Sequence, residues 1–165
     1  MWAVLFWLTT PAARRQSVAT TMREHWRRYD RHYCSQHDYE DLDGSVVERL
    51  MTELPRELPL LKGCKFDTLV VSLCHDFAYV DPLDKRLAAH QGTRVAFAGD
   101  ARIVFRLSGT GTENATLRLH LARFERDPSR HGMAVQDAFA DLAAATQQIA
   151  CIKKTAGHQT PSVIT

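Results

Sequence analysis

The sequence contains no C-x-x-C pair, and its four cysteines (Cys34, Cys64, Cys74 and Cys151) are scattered. That spacing excludes a disulfide framework and the usual zinc arrangements, and it fits a reducing cytoplasm. The eight histidines include no H-E-x-x-H and no close set with carboxylates, so they read as surface residues rather than metal ligands. No G-K-S or G-K-T occurs in the one glycine-rich loop, which rules out a nucleotide P-loop there. Charge of one sign is also lacking. The net charge of +2 and pI near 8.4 are too mild for a polyanion binder. Arginines do gather at Arg14-Arg15 and between Arg23 and Arg31, but Glu24 and Asp30 interrupt them, which suits a solvated helix face better than a nucleic-acid stripe. The apolar run Met1 to Leu8 is too short to span a bilayer and has no basic flank. It resembles a signal peptide only in its small residues Ala12-Ala13, and reads better as a helix whose upstream part is absent. Neither nucleic acid nor membrane is expected as a partner. Asn114-Ala115-Thr116 matches a glycosylation acceptor by chance.

What remains is an ordinary globular composition, 45% apolar and 24% charged over 165 residues, enough for one domain with its own core. The chain is organised around Arg106-Leu107-Ser108-Gly109-Thr110-Gly111-Thr112-Glu113-Asn114-Ala115-Thr116-Leu117-Arg118. Residues 102–107 and 116–121 read as strands, with Ile103, Phe105 and Leu107 on one face of the first and Leu117, Leu119 and Leu121 on one face of the second. Arg106 and Arg118 then point the other way and flank the loop. Two glycines let the backbone turn its N–H groups toward an anion, beside the hydroxyls of Ser108, Thr110 and Thr112. Two guanidiniums grip phosphate oxygens in paired, charge-assisted hydrogen bonds. On chemistry alone a plain hairpin with a Gly/Thr turn and two solvated arginines is the simpler reading.

Along the chain, Met1 to Ala13 is expected to be a buried helix with Pro11 near its end. Ser17 caps a second helix with Val18, Met22, Trp26 and Tyr29 at helical spacing. Residues 32–40 read as an irregular connection. Ser45-Val46-Val47-Glu48 reads as a capping box opening a helix that buries Val47, Leu50, Met51 and Leu54, ended by Pro55 and Pro59. Strands follow around 68–73, 78–80 and 94–98. A last helix is expected from about Ala134 to Thr155, striped by Val135, Phe139, Leu142, Thr146 and Ile149 and stopped by Gly157. Asp76, Asp81 and Asp84 offer acid/base chemistry, but Asp81-Pro82-Leu83-Asp84 reads more simply as a turn. Ser108 has no His/Asp partner and is no nucleophile. Grouped strands with helices at either end predict an α+β fold with an antiparallel sheet flanked by helices.

RLSGTGTENATLR resembles the phosphate-binding loop in the C-terminal (fourth) domain of α-phosphoglucomutases, in the α-D-phosphohexomutase superfamily. Further pieces follow in the family's order: WAVLFWL near the start, HDYE at 37–40, DPLD at 81–84, HQGTR at 90–94, GDARIVFRLSGTGT at 99–112 and the ending TPSVIT. The resemblance implies a division at about residue 40. Residues 1–40 would be a helical remnant of the third domain with its connection, and 41–165 the phosphate-binding domain.

It further implies that Arg106, Ser108, Gly109, Thr110, Gly111 and Arg118 bind the substrate's phosphate. Arg15 stands where the family has an active-site Lys; it keeps the charge but cannot shuttle a proton. The family interconverts glucose 1-phosphate and glucose 6-phosphate through glucose 1,6-bisphosphate, using a phosphoserine and Mg²⁺. The sequence has no T-A-S-H-N-P, D-G-D-G-D-R or G-E-E-S loop, so no metal or cofactor is expected on this chain and no catalytic residue is assigned to it. Its implied partners are hexose phosphates and the remaining mutase domains. The alternative is a non-catalytic phosphosugar- or protein-binding module of the same descent. Departures from the family pattern are Asn114 for Gly, Asp30 for Gly, His32 for Asn, Gln36 for Arg and Lys85-Arg86 for a Gly-Ser turn.

Overall fold

The computed structural model describes residues 2–108, 115–150 and 160–165. The chain divides into two compact units, Met1–His32 with Phe124–Met133, and Tyr33–Arg123 with Ala134–Thr165.

The first unit holds α1 (Trp2–Ala13), α2 (Val18–Tyr29) and a 3₁₀ turn at Pro128–Arg130. The expected helix at the start forms, but it is not buried. Trp2 is 86% exposed and Phe6 78%, and Pro11 is the residue of α1 that is covered. Its side chains are apolar on every side, so no single neighbouring face is able to cover it. Ser17 caps α2 as its sequence predicts, its Oγ accepting from the Thr20 N–H at 3.1 Å. Beyond α2 the Arg31 guanidinium lies 4.0 Å over the Trp26 ring and donates to the carbonyls of His131 and Met133, tying the helix to the 128–133 segment.

In the second unit a seven-stranded antiparallel sheet runs in the order β2-β3-β4-β5-β6-β1-β7. The strands are β1 (Arg31–Leu42), β2 (Lys65–Phe66), β3 (Leu69–Val80), β4 (Leu87–Phe97), β5 (Ala101–Ser108), β6 (Ala115–Glu125) and β7 (Val163–Ile164). With α3 (Gly44–Leu61), α4 (Val135–Ala138) and α5 (Ala140–Ile149) this is the predicted α+β class. Alternation makes the core. Val95, Phe97, Ile103, Phe105, Leu117, Leu119 and Leu121 are 0–3% exposed on one face of the sheet. Helix α3 covers this layer with Val47, Leu50 and Leu54, while Phe139, Leu142 and Ile149 come from the terminal helical segment. Burying each such side chain stabilises by roughly 1.5–3 kcal/mol.

Several expectations are corrected. Residues 32–40 are not irregular but the body of β1, buried at Tyr33, Ser35, Asp38 and Tyr39. Their backbone finds its partners in β6 on one side and β7 on the other. Asp43, not Ser45, caps α3, its carboxylate accepting from the Ser45 N–H at 2.8 Å. Pro55 and Pro59 do not end that helix, which continues to Leu61. The two prolines are four residues apart, Pro55 half-buried and Pro59 exposed, and the helix runs through both. The predicted strands at 68–73 and 78–80 are one strand, β3, with irregular pairing between Val71 and Leu73 and between Phe77 and Tyr79. The last helix breaks at Phe139 into α4 and α5, while Gly157 and its helix stop lie outside the described residues. The 81–84 turn forms as read, with Asp81 Oδ1 accepting from the Leu83 N–H at 2.7 Å.

Candidate functional site: the open face of the sheet

Strands β5 and β6 pair in the register Arg102↔Ala122, Val104↔His120, Arg106↔Arg118 and Ser108↔Thr116. The alternate residues are the core leucines and aromatics, so this second set lies on the opposite, uncovered face. Arg106 and Arg118 therefore stand directly across from one another, two residue pairs before Ser108↔Thr116 at the end of the ladder. Among the predicted phosphate ligands, Arg106, Ser108 and Arg118 are thus brought together. Gly109, Thr110 and Gly111 lie outside the described residues. Arg15 belongs to the first unit, where it is exposed with φ 51°, a left-handed backbone unusual for a residue other than glycine.

Two like charges directly opposite on one face are destabilising. The fold offsets part of that repulsion through β1. Asp38, itself buried, places Oδ2 3.3 Å from Arg118 Nε and accepts from Gln36 Nε2 at 2.9 Å. Among the described residues Arg106 makes no ion pair. Asp38 stands in the HDYE piece, yet nothing in the sequence marks its role. No hydrophobic pattern marks a carboxylate that works across strands.

Gly92 is a second residue that was not singled out. The β4–β5 register sets it beside Arg106, and β3 sets it opposite Phe77. A Cβ built there would fall 2.6 Å from the Phe105 carbonyl oxygen, 3.0 Å from Arg106 Cγ and 3.1 Å from Phe77 Cε1. With φ at +152° as well, only glycine lets the Arg106 stem lie flat across β4. The visible trace of this in the sequence is the glycine of HQGTR.

His120 completes the surroundings. It lines one groove with Arg102 and Arg106, and burial together with the Arg106 and Arg118 charges lowers its pKa, against the pull of Asp38. The His37 imidazole is likewise lowered, by burial first, with Asp38 opposing. Asp76, a candidate for acid/base chemistry, is bound to the His90 imidazole instead. Among the described residues no group of three or more His, Cys, Asp or Glu is placed to hold a metal ion.

The model of the C-terminal domain of phosphoglucomutase-1 matches residues 31–162. A phosphoglucomutase of Rhizobium radiobacter is 46% identical over the whole chain, which covers 30% of that relative. The cytoplasmic phosphoglucomutase of Pisum sativum is 36% identical, again over the whole chain and 31% of the relative. Among solved structures, the open form of Paramecium pp63/parafusin, described as a phosphoglucomutase, superposes with a TM-score of 0.83 at 30% identity. That match covers 99% of this chain and 29% of the other. The chain thus spans about three-tenths of the length of the relatives it matches. No helix among the described residues is long and apolar enough to cross a membrane.

Proposed function

The chain belongs to the phosphoglucomutase family, whose C-terminal domain it contains, and on that premise we propose that it is the phosphate-holding lobe of a mutase interconverting glucose 1-phosphate and glucose 6-phosphate. Arg106 and Arg118 grip the phosphate that is not being transferred. Ser108 and Thr110 donate to it, and Gly109 and Gly111 shape the loop around it. The observation that carries this reading is the direct pairing of Arg106 with Arg118 at the mouth of the loop. Positioning and charge stabilisation are most of what phosphoryl transfer asks of a protein, and this lobe supplies both to the far end of the sugar.

By the family resemblance, the phosphoserine donor, the Mg²⁺ and the sugar-reading loop would come from the part of a mutase that this chain does not span. Alone it should therefore show no mutase turnover, and a coupled assay rising above background would refute that. The cytoplasm is the proposed compartment, as for the plant relatives named cytoplasmic.

Each arginine should contribute roughly 1.5–3 kcal/mol before losses to solvent. In a half-open cleft the affinity for glucose 6-phosphate should be on the order of millimolar and should fall with salt. The test is a titration followed by NMR amide shifts. The largest shifts should fall within 106–118. Arg118→Lys should weaken binding because an ammonium lacks the planar fork, and Ser108→Ala should do less. Shifts centred elsewhere, or an unchanged Arg118→Lys, would leave only a plain hairpin.

The exposure of α1 favours a second reading, a non-catalytic module that binds a protein or a phosphosugar. Mixing the chain with a mutase lacking its own C-terminal domain separates the two. Restored turnover supports the enzyme lobe, and absence of turnover with tight association supports the module.

A further inference from the structure

We propose that the open face carries a second oxyanion subsite, distinct from the loop, in which Arg102, Arg106 and His120 hold a phosphoryl group in a groove of about 520 Å³. It extends the phosphate-holding reading, with which it shares only Arg106.

The geometry comes from register. Arg102 and Arg106 are four residues apart on one face of β5, with Val104 between them and His120 directly opposite Val104 on β6. The imidazole is therefore the diagonal neighbour of both guanidiniums, within reach of long side chains. Gln36 and Phe77 close the groove at its sides, and its size suits a small ligand. Arg94, opposite Val104 on β4, adds a guanidinium to the same face, and its buried Nε has no hydrogen-bond partner.

The charges are the second argument. Among the described residues neither Arg102 nor Arg106 makes an ion pair, and Asp38 is already engaged by Arg118 and Gln36. The other groups on this face are His75 on β3, the Cys34 thiol on β1 and the carboxyl group of Thr165. The Thr165 main chain pairs with Gln36, and its oxygen accepts from Ser35 Oγ at 3.0 Å. The guanidiniums of Arg94, Arg102, Arg106 and Arg118 outnumber the carboxylates of Asp38 and Thr165 on this face, so repulsion remains on balance, and an oxyanion in the groove turns it into attraction. Burial first, and then the Arg106 charge, disfavour the His120 imidazolium; an anion in the groove offsets the Arg106 contribution, so its binding favours uptake of a proton by His120. The sign follows directly. Oxyanion affinity rises as the pH falls, by at most about tenfold per pH unit for one linked proton.

Inorganic sulfate is the probe, since it carries the same shape and does not itself titrate near neutral pH. It is titrated into the full chain while the arginine Nε–H and histidine ring signals are followed, near pH 7.5 and near pH 5.5. The Arg102 and His120 signals should move together and more tightly at the lower pH. Arg102→Gln, a change at an exposed position, should abolish the His120 response while residues 115–118 still respond. His120→Gln should keep the Arg102 response and lose its pH dependence. Sulfate shifts confined to 106–118, or a His120 response that survives Arg102→Gln, would overturn the subsite. Shifts at Arg102 and His120 without any at 115–118 would uphold it and sink the loop reading instead. Glucose 1,6-bisphosphate set against glucose 6-phosphate identifies the source. A gain of tenfold or so that Arg102→Gln removes assigns the groove to the second phosphate of one ligand, and equal affinities assign it to a free oxyanion.

Discussion

The two faces of strands β5 and β6 are built from alternate residues of the same two segments, yet they answer to different physics. On the inner face Ile103, Phe105, Leu117, Leu119 and Leu121 are at most 1% exposed. On the outer face Arg102, Arg106, Arg118 and His120 stand close together with one buried carboxylate among them. The inner face stabilises the sheet. The outer face works against it, holding like charges opposite each other. A substitution on one face should therefore leave the property of the other nearly untouched.

The largest effect is expected from breaking the inner face. Phe105 is wholly buried between the flanking strands, and Phe105→Ala removes its packing and leaves a cavity. The loss in a urea unfolding curve should be about 3–5 kcal/mol. If the protein still folds at the test temperature, anion binding should persist, because Arg106 and Arg118 are set by backbone register rather than by that ring.

Next in size is Gly92→Ala, which touches both faces at once. The new methyl meets the Phe105 carbonyl, a backbone atom unable to swing aside, as well as Arg106 Cγ. A destabilisation of about 1–3 kcal/mol is expected. Phosphate affinity should fall with it because the Arg106 stem is displaced. A variant that loses stability but keeps its affinity would show that Gly92 serves the strand and not the arginine.

Much of this was legible beforehand. The strands on either side of the loop were readable because Ile103, Phe105, Leu117, Leu119 and Leu121 alternate cleanly with polar residues. The same alternation turned Arg106 and Arg118 outward. Strand β1 was not readable. Its buried residues are Tyr33, Ser35, Asp38, Tyr39 and, at its end, Leu42, a mostly polar and aromatic set without a period of two, and its pairing comes from segments far along the chain. Proline usually stops a helix, so the sequence predicts an end for α3 at Pro55 and Pro59, whereas the helix runs through both to Leu61. Asp38 and Gly92 escaped notice for a related reason. Their roles exist only across strands, in register, where no local pattern records them.

Asp38→Asn sharpens the comparison from the outer face. The substitution keeps the shape and the Gln36 contact but removes the charge that offsets Arg118. Arg118 is 44% exposed along its side chain, so solvent weakens the pair, and the loss in stability should be about 1 kcal/mol. Anion affinity should move the other way and increase, since Arg118 then has no competing carboxylate. A fall in affinity would mean that Asp38 orients Arg118 rather than neutralising it.

The smallest effect concerns acid. His37 and His120 both titrate below the ordinary histidine value, chiefly because burial disfavours the imidazolium. Arg106 and Arg118 add to this at His120, and Asp38 opposes it at both. The unfolded chain therefore takes up these protons first. Their contribution is fully present above the unfolded value of about 6.5, is lost as the pH falls toward the native values, and levels off below them. Both side chains are partly exposed, so the loss should be smaller than that of Asp38→Asn. Urea midpoints between about pH 7.5 and pH 5, for the native sequence and for His37→Gln with His120→Gln, measure it. The double variant should lose less stability across that range. Adding sulfate should flatten the native curve as well, because an anion on the outer face favours the charged His120. Curves that superimpose with and without the two histidines would remove both from the acid response, and would leave the outer face with arginines alone to sense an anion.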